Sequence, residues 1–449
     1  MFGNIFLRLL AAALLAPPLT AQPQPWAGRL DDIGQTEQQR QKLPGLVLVV
    51  VKGQSVAYAK GFGLANVETK EPVTPDHLFR VGSTTKMIVG ASLASLAHQD
   101  KLPMNAPIET WLAEHRATPL GKLTAHQLLT HTAGLMDRTL MYGRHDDSAL
   151  ADNVRSLQPD VLFTSPGEIY SYSNLGFAIA GRLLESVTAR PFADAVADLV
   201  FQPLGMKRTT FRPTLAMTYP LAQGHIRENG ALTIARPAAD HSGYWPAGSM
   251  FTSGNDFARF AMALLNHGRA GDNAALPAPV IAMVTSPHVP VPGGGRYGYG
   301  IGVTQRDGKT VLSHSGGRQG YSTFLLAVPQ DATAVLALIN QSGADAATPA
   351  YRAFQAVAGW DARTLPTSTP TKLTPAEISG FYTHYTSTAG ISNEGGKLLL
   401  RFDNASAREL VADTGNCYRA AADRVCFETG PDGRARYLLR GSRAFARRN

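Results

Sequence analysis

Ser83-Thr-Thr-Lys86-Met-Ile-Val-Gly-Ala-Ser-Leu-Ala-Ser-Leu-Ala97 reads as a helix with almost no polar face, and Ser83 and Lys86 form the only Ser-x-x-Lys in the chain. Residues three apart lie one above the other on a helix, so the Lys86 amine reaches the Ser83 hydroxyl from the next turn. A helix that is apolar all round is buried, and burial disfavours the charged form of an amine. Lys86 is therefore expected to give up its proton more readily than a surface lysine and to act as proton acceptor for Ser83. In the first turn, Ser83 also sits among unpaired N–H groups at the positive end of the helix dipole, which favour developing negative charge. The pattern points to serine acyl transfer, but a Ser three residues before a Lys arises by chance about once in a chain of this composition. More than one motif is needed.

A second segment follows the turn signal Ser165-Pro-Gly-Glu168. Ile169-Tyr-Ser-Tyr172-Ser-Asn174 leads into the apolar run Leu175-Gly-Phe-Ala-Ile-Ala-Gly-Arg-Leu-Leu184, a second buried helix, and Tyr172 and Asn174 form the only Tyr-x-Asn. A phenol at a cleft mouth relays protons between nucleophile, lysine and leaving group when nearby positive charge stabilises its phenolate. Asn174 offers a donor and an acceptor to a substrate amide. The same two residues also suit plain packing at a helix start, where Asn commonly caps.

The third segment holds three successive strand candidates: Lys309-Thr-Val-Leu-Ser-His314-Ser-Gly316-Gly317, then Tyr321 to Pro329, then Thr333 to Asn340. Small residues after His314 let a substrate lie against the strand edge, with backbone N–H groups free to hold an oxyanion or a peptide. His-Ser-Gly also occurs at His241-Ser242-Gly243. That copy precedes a helix start at Ser253-Gly-Asn-Asp256, whereas the later one lies between strands, so the site is assigned to His314.

Ser-x-x-Lys, then Tyr-x-Asn, then a basic-residue-x-Gly strand resembles the three-motif signature of penicillin-recognising serine enzymes. Leu128-Leu-Thr-His131-Thr-Ala-Gly-Leu135, Phe163-Thr-Ser-Pro-Gly-Glu168 and Pro246-Ala-Gly-Ser-Met-Phe-Thr-Ser253 are similar to the β-lactamase-related serine hydrolases: class C β-lactamases, D-alanyl-D-alanine carboxypeptidases, D-aminopeptidases and esterases. The likeness covers about residues 30 to 360. It implies an α/β (α+β) fold of the β-lactamase/transpeptidase type with Ser83 as nucleophile, Lys86 and Tyr172 as the base system, and Asn174 binding the substrate side-chain amide. His314 and Gly316 would line the opposite wall, and the N–H groups of Ser83 and Gly317 would form the oxyanion hole. The third motif of class C β-lactamases begins with Lys, where this chain has His314. A histidine is only fractionally protonated at neutral pH and has a shorter reach, so it is expected to hold a substrate carboxylate less firmly. The resemblance is nearer to the peptidases and esterases, some of which carry His-x-Gly.

Other chemistries lack support. No Gly-x-Ser-x-Gly elbow marks an α/β-hydrolase, and no His-Glu-x-x-His or ligand-spaced Cys/His set calls for a metal or any other cofactor. Arg8 followed by Leu9-Leu-Ala-Ala-Ala-Leu-Leu-Ala16 and Leu19-Thr-Ala21 matches a secretory leader over residues 1–21, too short to span a bilayer. Periplasmic or secreted location is the expectation. Cys417 and Cys426 flank eight residues symmetrically, and a hairpin turning at Ala421 and Ala422 would bring them to bridging distance, so a disulfide is expected.

With 449 residues, 44% of them hydrophobic, the chain exceeds one typical domain. The strand candidates Gly45–Val51 and Ser55–Lys60 precede the catalytic helix, and further strands are expected only after residue 296. An antiparallel sheet is thus assembled from both ends of a domain at 22–362, with a mostly helical region inserted. A helix at Ala344–Ala358 closes it, and 363–374 reads as a linker. Beyond it, 375–449 alternates short strands with turns, as in a small β-barrel domain similar to the lipocalin-like appendage of some relatives. This domain is expected to lie over the cleft and restrict substrate size. The net charge of +8 is spread out and no nucleic-acid motif is present, so the expected partner is a small-molecule or peptide substrate, such as a cell-wall peptide or an ester. The sequence reads as a hydrolase acting through an acyl-enzyme on D-amino-acid peptides or small esters. A class C-like β-lactamase and a catalytically silent wall-binding protein are the alternatives. Replacing the nucleophile, Ser83→Ala, is expected to leave the fold intact and lower turnover by on the order of a thousandfold, measured by kcat of the purified variant.

Overall fold

The computed structural model describes residues 24–271, 274–292, 294–363, 373–421 and 423–448. The leader expected at 1–21, most of the expected linker and Ala422 of the predicted hairpin turn lie outside the described residues.

Gly45-Leu-Val-Leu-Val-Val-Val51 is apolar at every position after the glycine because both faces of its strand are covered. Val47, Val49 and Val51 point into the larger core, which also holds Met87, Ile88 and Val89 of the nucleophile helix. Leu46, Leu48 and Val50 pack instead with Leu30 and Ile33 of the helix Ala27–Arg40 and with Ala350 and Phe354 of the helix Ala347–Ala358. The strand Gly45–Lys52 pairs on one side with Ser55–Asn66 and on the other with Thr333–Ile339, matching Leu46 with Ile339. A nine-stranded sheet results, in the order Glu71–Pro72, Ser55–Asn66, Gly45–Lys52, Thr333–Ile339, Tyr321–Val328, Lys309–Arg318, Gly302–Arg306, Arg296–Tyr297, Val289–Pro290. This is the β-lactamase/transpeptidase-like arrangement, built from both ends of the body around a helical insertion.

Three details differ from the sequence reading. The returning strands begin at Val289 rather than after residue 296. The insertion contains two small antiparallel pairs, Leu78–Arg80 with Phe251–Ser253 and His225–Glu228 with Ala231–Ile234. The closing helix starts at Ala347 rather than Ala344, because the Asp345 carboxylate accepts the N–H groups of Ala347 and Thr348 at 3.0 Å and so fixes the helix entry.

The C-terminal region forms a second nine-stranded antiparallel sheet. Its first strand, Gly380–His384, pairs with its last, Arg443–Arg448. The two edge strands, Arg408–Glu409 and Val411–Ala412, are separated in sequence only by Leu410, whose N–H donates to the Leu398 carbonyl at 2.8 Å. The sheet is therefore nearly closed into a barrel around Ile378, Tyr382, Leu400, Phe427 and Leu438. Cys417 and Cys426 stand directly opposite each other on adjacent strands and are joined by a disulfide. On the outer face, they pack with Tyr437, Leu439 and Ala444 against Ile169 of the body. That contact fixes the barrel beside the Tyr172 segment.

Candidate active site

Ser83 sits in a single 3₁₀ turn, Gly82–Thr84, just before the helix Thr85–His98, not inside the α-helix itself. Gly82 has φ of +56°, and a Cβ there would lie 2.5 Å from the Gly317 nitrogen, so only glycine lets the turn approach the strand this closely. The backbones that carry Ser83 and Gly317 are thereby brought together. Every residue from Thr85 to Leu96 is buried. The Lys86 side chain ends in three acceptors: the Ala247 carbonyl at 2.5 Å, Asn174 Oδ1 at 2.7 Å and Ser83 Oγ at 3.3 Å. Complete burial pulls its amine down to about 7, with Asp137 opposing the shift and Arg443 and Arg318 adding to it. Near neutrality a substantial share of Lys86 is thus the free base.

Asn174 opens the helix Asn174–Thr188, but the capping role falls to Ser173, whose Oγ accepts the Gly176 N–H at 3.2 Å. The Asn174 amide is left free to hold Lys86. Burial holds the Tyr172 phenol well above the ordinary range, with the nearby Ser83 hydroxyl opposing the shift. At neutral pH it is therefore a neutral phenol rather than a standing phenolate. The His131 ring lies 4.2 Å from the Tyr172 ring, and its Nδ1 accepts the Ser173 N–H at 3.1 Å. Burial holds this imidazole neutral, and an accepting Nδ1 places its proton on the buried Nε2.

His314 lies on the strand Lys309–Arg318, in register with Leu325. Its Nδ1 donates to the Ser315 carbonyl at 2.6 Å, which leaves Nε2 to accept from the Tyr297 hydroxyl at 2.9 Å. Burial, reinforced by the Lys86 charge, pushes the imidazole down to about 4. The partial charge expected of His314 at neutral pH is therefore absent, and both ring nitrogens are engaged within the protein. The other copy, His241, closes the turn Ser242–Tyr244 by accepting the Gly243 N–H at 3.0 Å. Gly316 does not face the cleft: a Cβ there would lie 1.9 Å from the Val81 carbonyl oxygen and 2.3 Å from Thr323 Oγ1. It seats the strand beneath the nucleophile turn. Gly317 faces open space.

The structure thus gathers Ser83, Lys86, Tyr172 and Asn174 into one bonded cluster, with Gly317 at its edge and His314 alongside. Residues that the motif reading missed are the Ala247 carbonyl, Tyr297, Asp137 and Arg443. Asp137 stands two residues beyond the quoted Leu128–Leu135 segment, so proximity was its only signal. Arg443 lies in the arginine-rich C-terminal strand that reads as solvated surface. Its Nε and Nη2 both donate to Asp137 Oδ2, the former at 2.7 Å, and Asp137 Oδ1 accepts the Asn174 N–H at 2.8 Å.

A Ser–Lys–Tyr–Asn cluster around a buried lysine, at the junction of such a sheet and its helical insertion, defines a serine hydrolase of the β-lactamase superfamily. The family model described as Beta-lactamase matches residues 30–358, and the chain belongs to this family. Esterase EstB of Burkholderia gladioli is 31% identical over 279 residues, spanning 53% of this chain and 70% of the esterase. Protein flp of Staphylococcus aureus (strain MW2) is 25% identical over 325 residues, 70% of this chain but only 62% of that protein's length. Among solved structures, the crystal structure of SurE superposes with a TM-score of 0.76 at 23% identity, covering 94% of this chain and 99% of that one. The SurE match extends over the C-terminal barrel as well as the body.

Two outcomes follow from this geometry. Because the Lys86 amine titrates at about 7, kcat/KM is expected to rise with pH through that value, falling about tenfold per unit on the acid side. A pH–rate profile of the wild type checks this. Gly316→Ala is expected to cost about 1–3 kcal/mol of stability through overpacking against the Val81 backbone, read as a lowered urea midpoint.

Proposed function

We propose that the protein hydrolyses small esters or D-amino-acid peptides outside the cytoplasm through an acyl-enzyme on Ser83. The observation that carries this reading is the wholly buried Lys86 amine 3.3 Å from Ser83 Oγ, a burial that pulls its basicity down to about 7. Ser83 Oγ attacks the acyl carbon while its proton passes to Lys86, directly or through the Tyr172 hydroxyl. The N–H groups of Ser83 and Gly317 receive the developing oxyanion. Collapse expels the alcohol or amine, which takes the proton back through Tyr172, and water then releases the acid by the same relay in reverse. Asn174, whose Oδ1 orients Lys86, turns its amide nitrogen to the substrate. The likeness to esterase EstB supports ester cleavage, and the leader-like residues 1–21 support export.

A class C-like β-lactamase is the second reading, favoured by the shared motifs. It is weakened by His314, which is neutral and bonded to Tyr297, and so supplies no cation for a substrate carboxylate. A silent wall-binding protein fits poorly with a nucleophile, base and relay in mutual contact.

Fluorophosphonate labelling of Ser83, followed by parallel assays with a p-nitrophenyl ester, D-alanyl peptides and a chromogenic cephalosporin, tests the reading. Labelling and faster turnover of the ester or peptide are expected. Preference for the cephalosporin would overturn it in favour of the second reading, and failure to label would favour the silent one. His314→Lys is expected to raise cephalosporin kcat/KM by roughly tenfold, about 1.4 kcal/mol, while ester hydrolysis stays level or falls.

A further inference from the structure

The segment 163–174, which carries Tyr172 and Asn174, is held by the C-terminal barrel along its whole length. Thr164 Oγ1 bonds the Tyr437 hydroxyl, Glu168 pairs with Arg436, and Ile169 enters the apolar cluster around Cys417, Cys426 and Leu439. At its catalytic end, the Ala444 N–H donates to Ser171 Oγ at 3.1 Å and the Tyr172 N–H donates to the Ser442 carbonyl at 2.8 Å. These two bonds bracket Arg443, whose side chain is half-exposed beside Tyr172. Its guanidinium carbon stands 5.6 Å from the centre of the Tyr172 ring, and its Nε and Nη2 grip Asp137. The same barrel supports Asp137 a second time: the Asp137 N–H donates to His384 Nε2 at 3.1 Å, while His384 Nδ1 donates to the Ala444 carbonyl at 2.8 Å. Asp137 in turn accepts the Asn174 N–H, and Asn174 holds Lys86. A chain of contacts therefore runs from the barrel strand through Asp137 and Asn174 to Lys86, its Arg443–Asp137 and Asp137–Asn174 links charge-assisted.

Resting on the Ser83 acyl-enzyme reading, we infer that Arg443 of the C-terminal barrel is a positioning residue of the catalytic site: through Asp137 and the face of Tyr172 it fixes Asn174, Lys86 and Tyr172 in their working geometry. The barrel thus completes the active site and does more than cover it. Arg443 also places a permanent cation beside the base system. The charged and titratable groups that face Lys86 are Asp137, Arg443, Arg318, His131, His314 and Tyr172, and the last three are neutral near pH 7 by burial. Removing Arg443 takes away one cation and leaves the Asp137 carboxylate unpaired. Both changes favour protonated Lys86, so the acid limb of the pH–rate profile moves toward higher pH.

The experiment compares full-length wild type, Arg443→Met, Arg443→Lys, Asp137→Asn and the Arg443→Met/Asp137→Asn double variant on a p-nitrophenyl ester. Fluorophosphonate labelling and circular dichroism are recorded for each. Expected for Arg443→Met is a fall of about tenfold or more in kcat with a smaller change in KM, and an acid limb displaced upward. Arg443→Lys should restore part of the loss, and Asp137→Asn in the Met background should bring the limb back down, giving a non-additive double variant. A folded Arg443→Met protein with wild-type kcat and an unmoved limb would overturn the inference. Should that variant fail to fold, wild-type kcat and limb in both Arg443→Lys and Asp137→Asn would overturn it equally. Absence of labelling and turnover in the wild type would instead remove the Ser83 reading itself, a result separable from the Arg443 comparison.

Discussion

Burying one amine organises this protein. The Lys86 side chain is taken wholly out of water, and its three bonds to Ser83, Asn174 and the Ala247 carbonyl come from three separate elements. An amine in that position is costly when charged and out of reach of the hydroxyl when misplaced, so the surrounding architecture has to supply both enclosure and alignment. The apolar helix supplies the enclosure. Ser173 supplies part of the alignment, because by capping its helix it releases the next side chain, Asn174, to face the lysine. Gly82 and Gly316 supply the rest by letting the nucleophile turn rest on the His314 strand with no Cβ between them.

Much of this was legible in the sequence because it is local. Ser-x-x-Lys encodes one turn of helix, an all-apolar helix encodes burial, and the apolar run Gly45–Val51 encodes a strand covered on both faces. Even the pairing of Cys417 with Cys426 follows from their symmetric placement about a hairpin. What was not legible depends on partners far away in the chain. The ionisation of His314 is set by burial and by the Tyr297 hydroxyl, so a histidine that looks like a weak cation from its identity is a neutral hydrogen-bonding strut in place. Asp137 and Arg443 meet across 306 residues of sequence. No motif spacing reports such a contact, and an arginine-rich strand has the composition of ordinary surface.

The Tyr172 segment draws its rigidity from two sources. On one side the His131 ring lies tilted against Tyr172 and accepts the Ser173 N–H; on the other, Ser442, in the turn before the strand Arg443–Arg448, takes the Tyr172 N–H itself. A proton relay works only when its donor and acceptor distances are kept, and a loop is a poor holder of distances. Packing that loop between a buried imidazole and the turn that enters the central strand of the second sheet gives it the fixity of a core element.

The pairing of Leu46 with Ile339 has a consequence for how the molecule is made. The central strand of the body, with its uninterrupted run of valines and leucines, emerges from the ribosome almost three hundred residues before its partner. Non-local pairing of this kind slows folding and leaves a sticky strand edge exposed meanwhile. The neighbouring hairpin strand Ser55–Asn66 protects one edge early, since it pairs locally. The other edge must wait until Thr333–Ile339 has been synthesised.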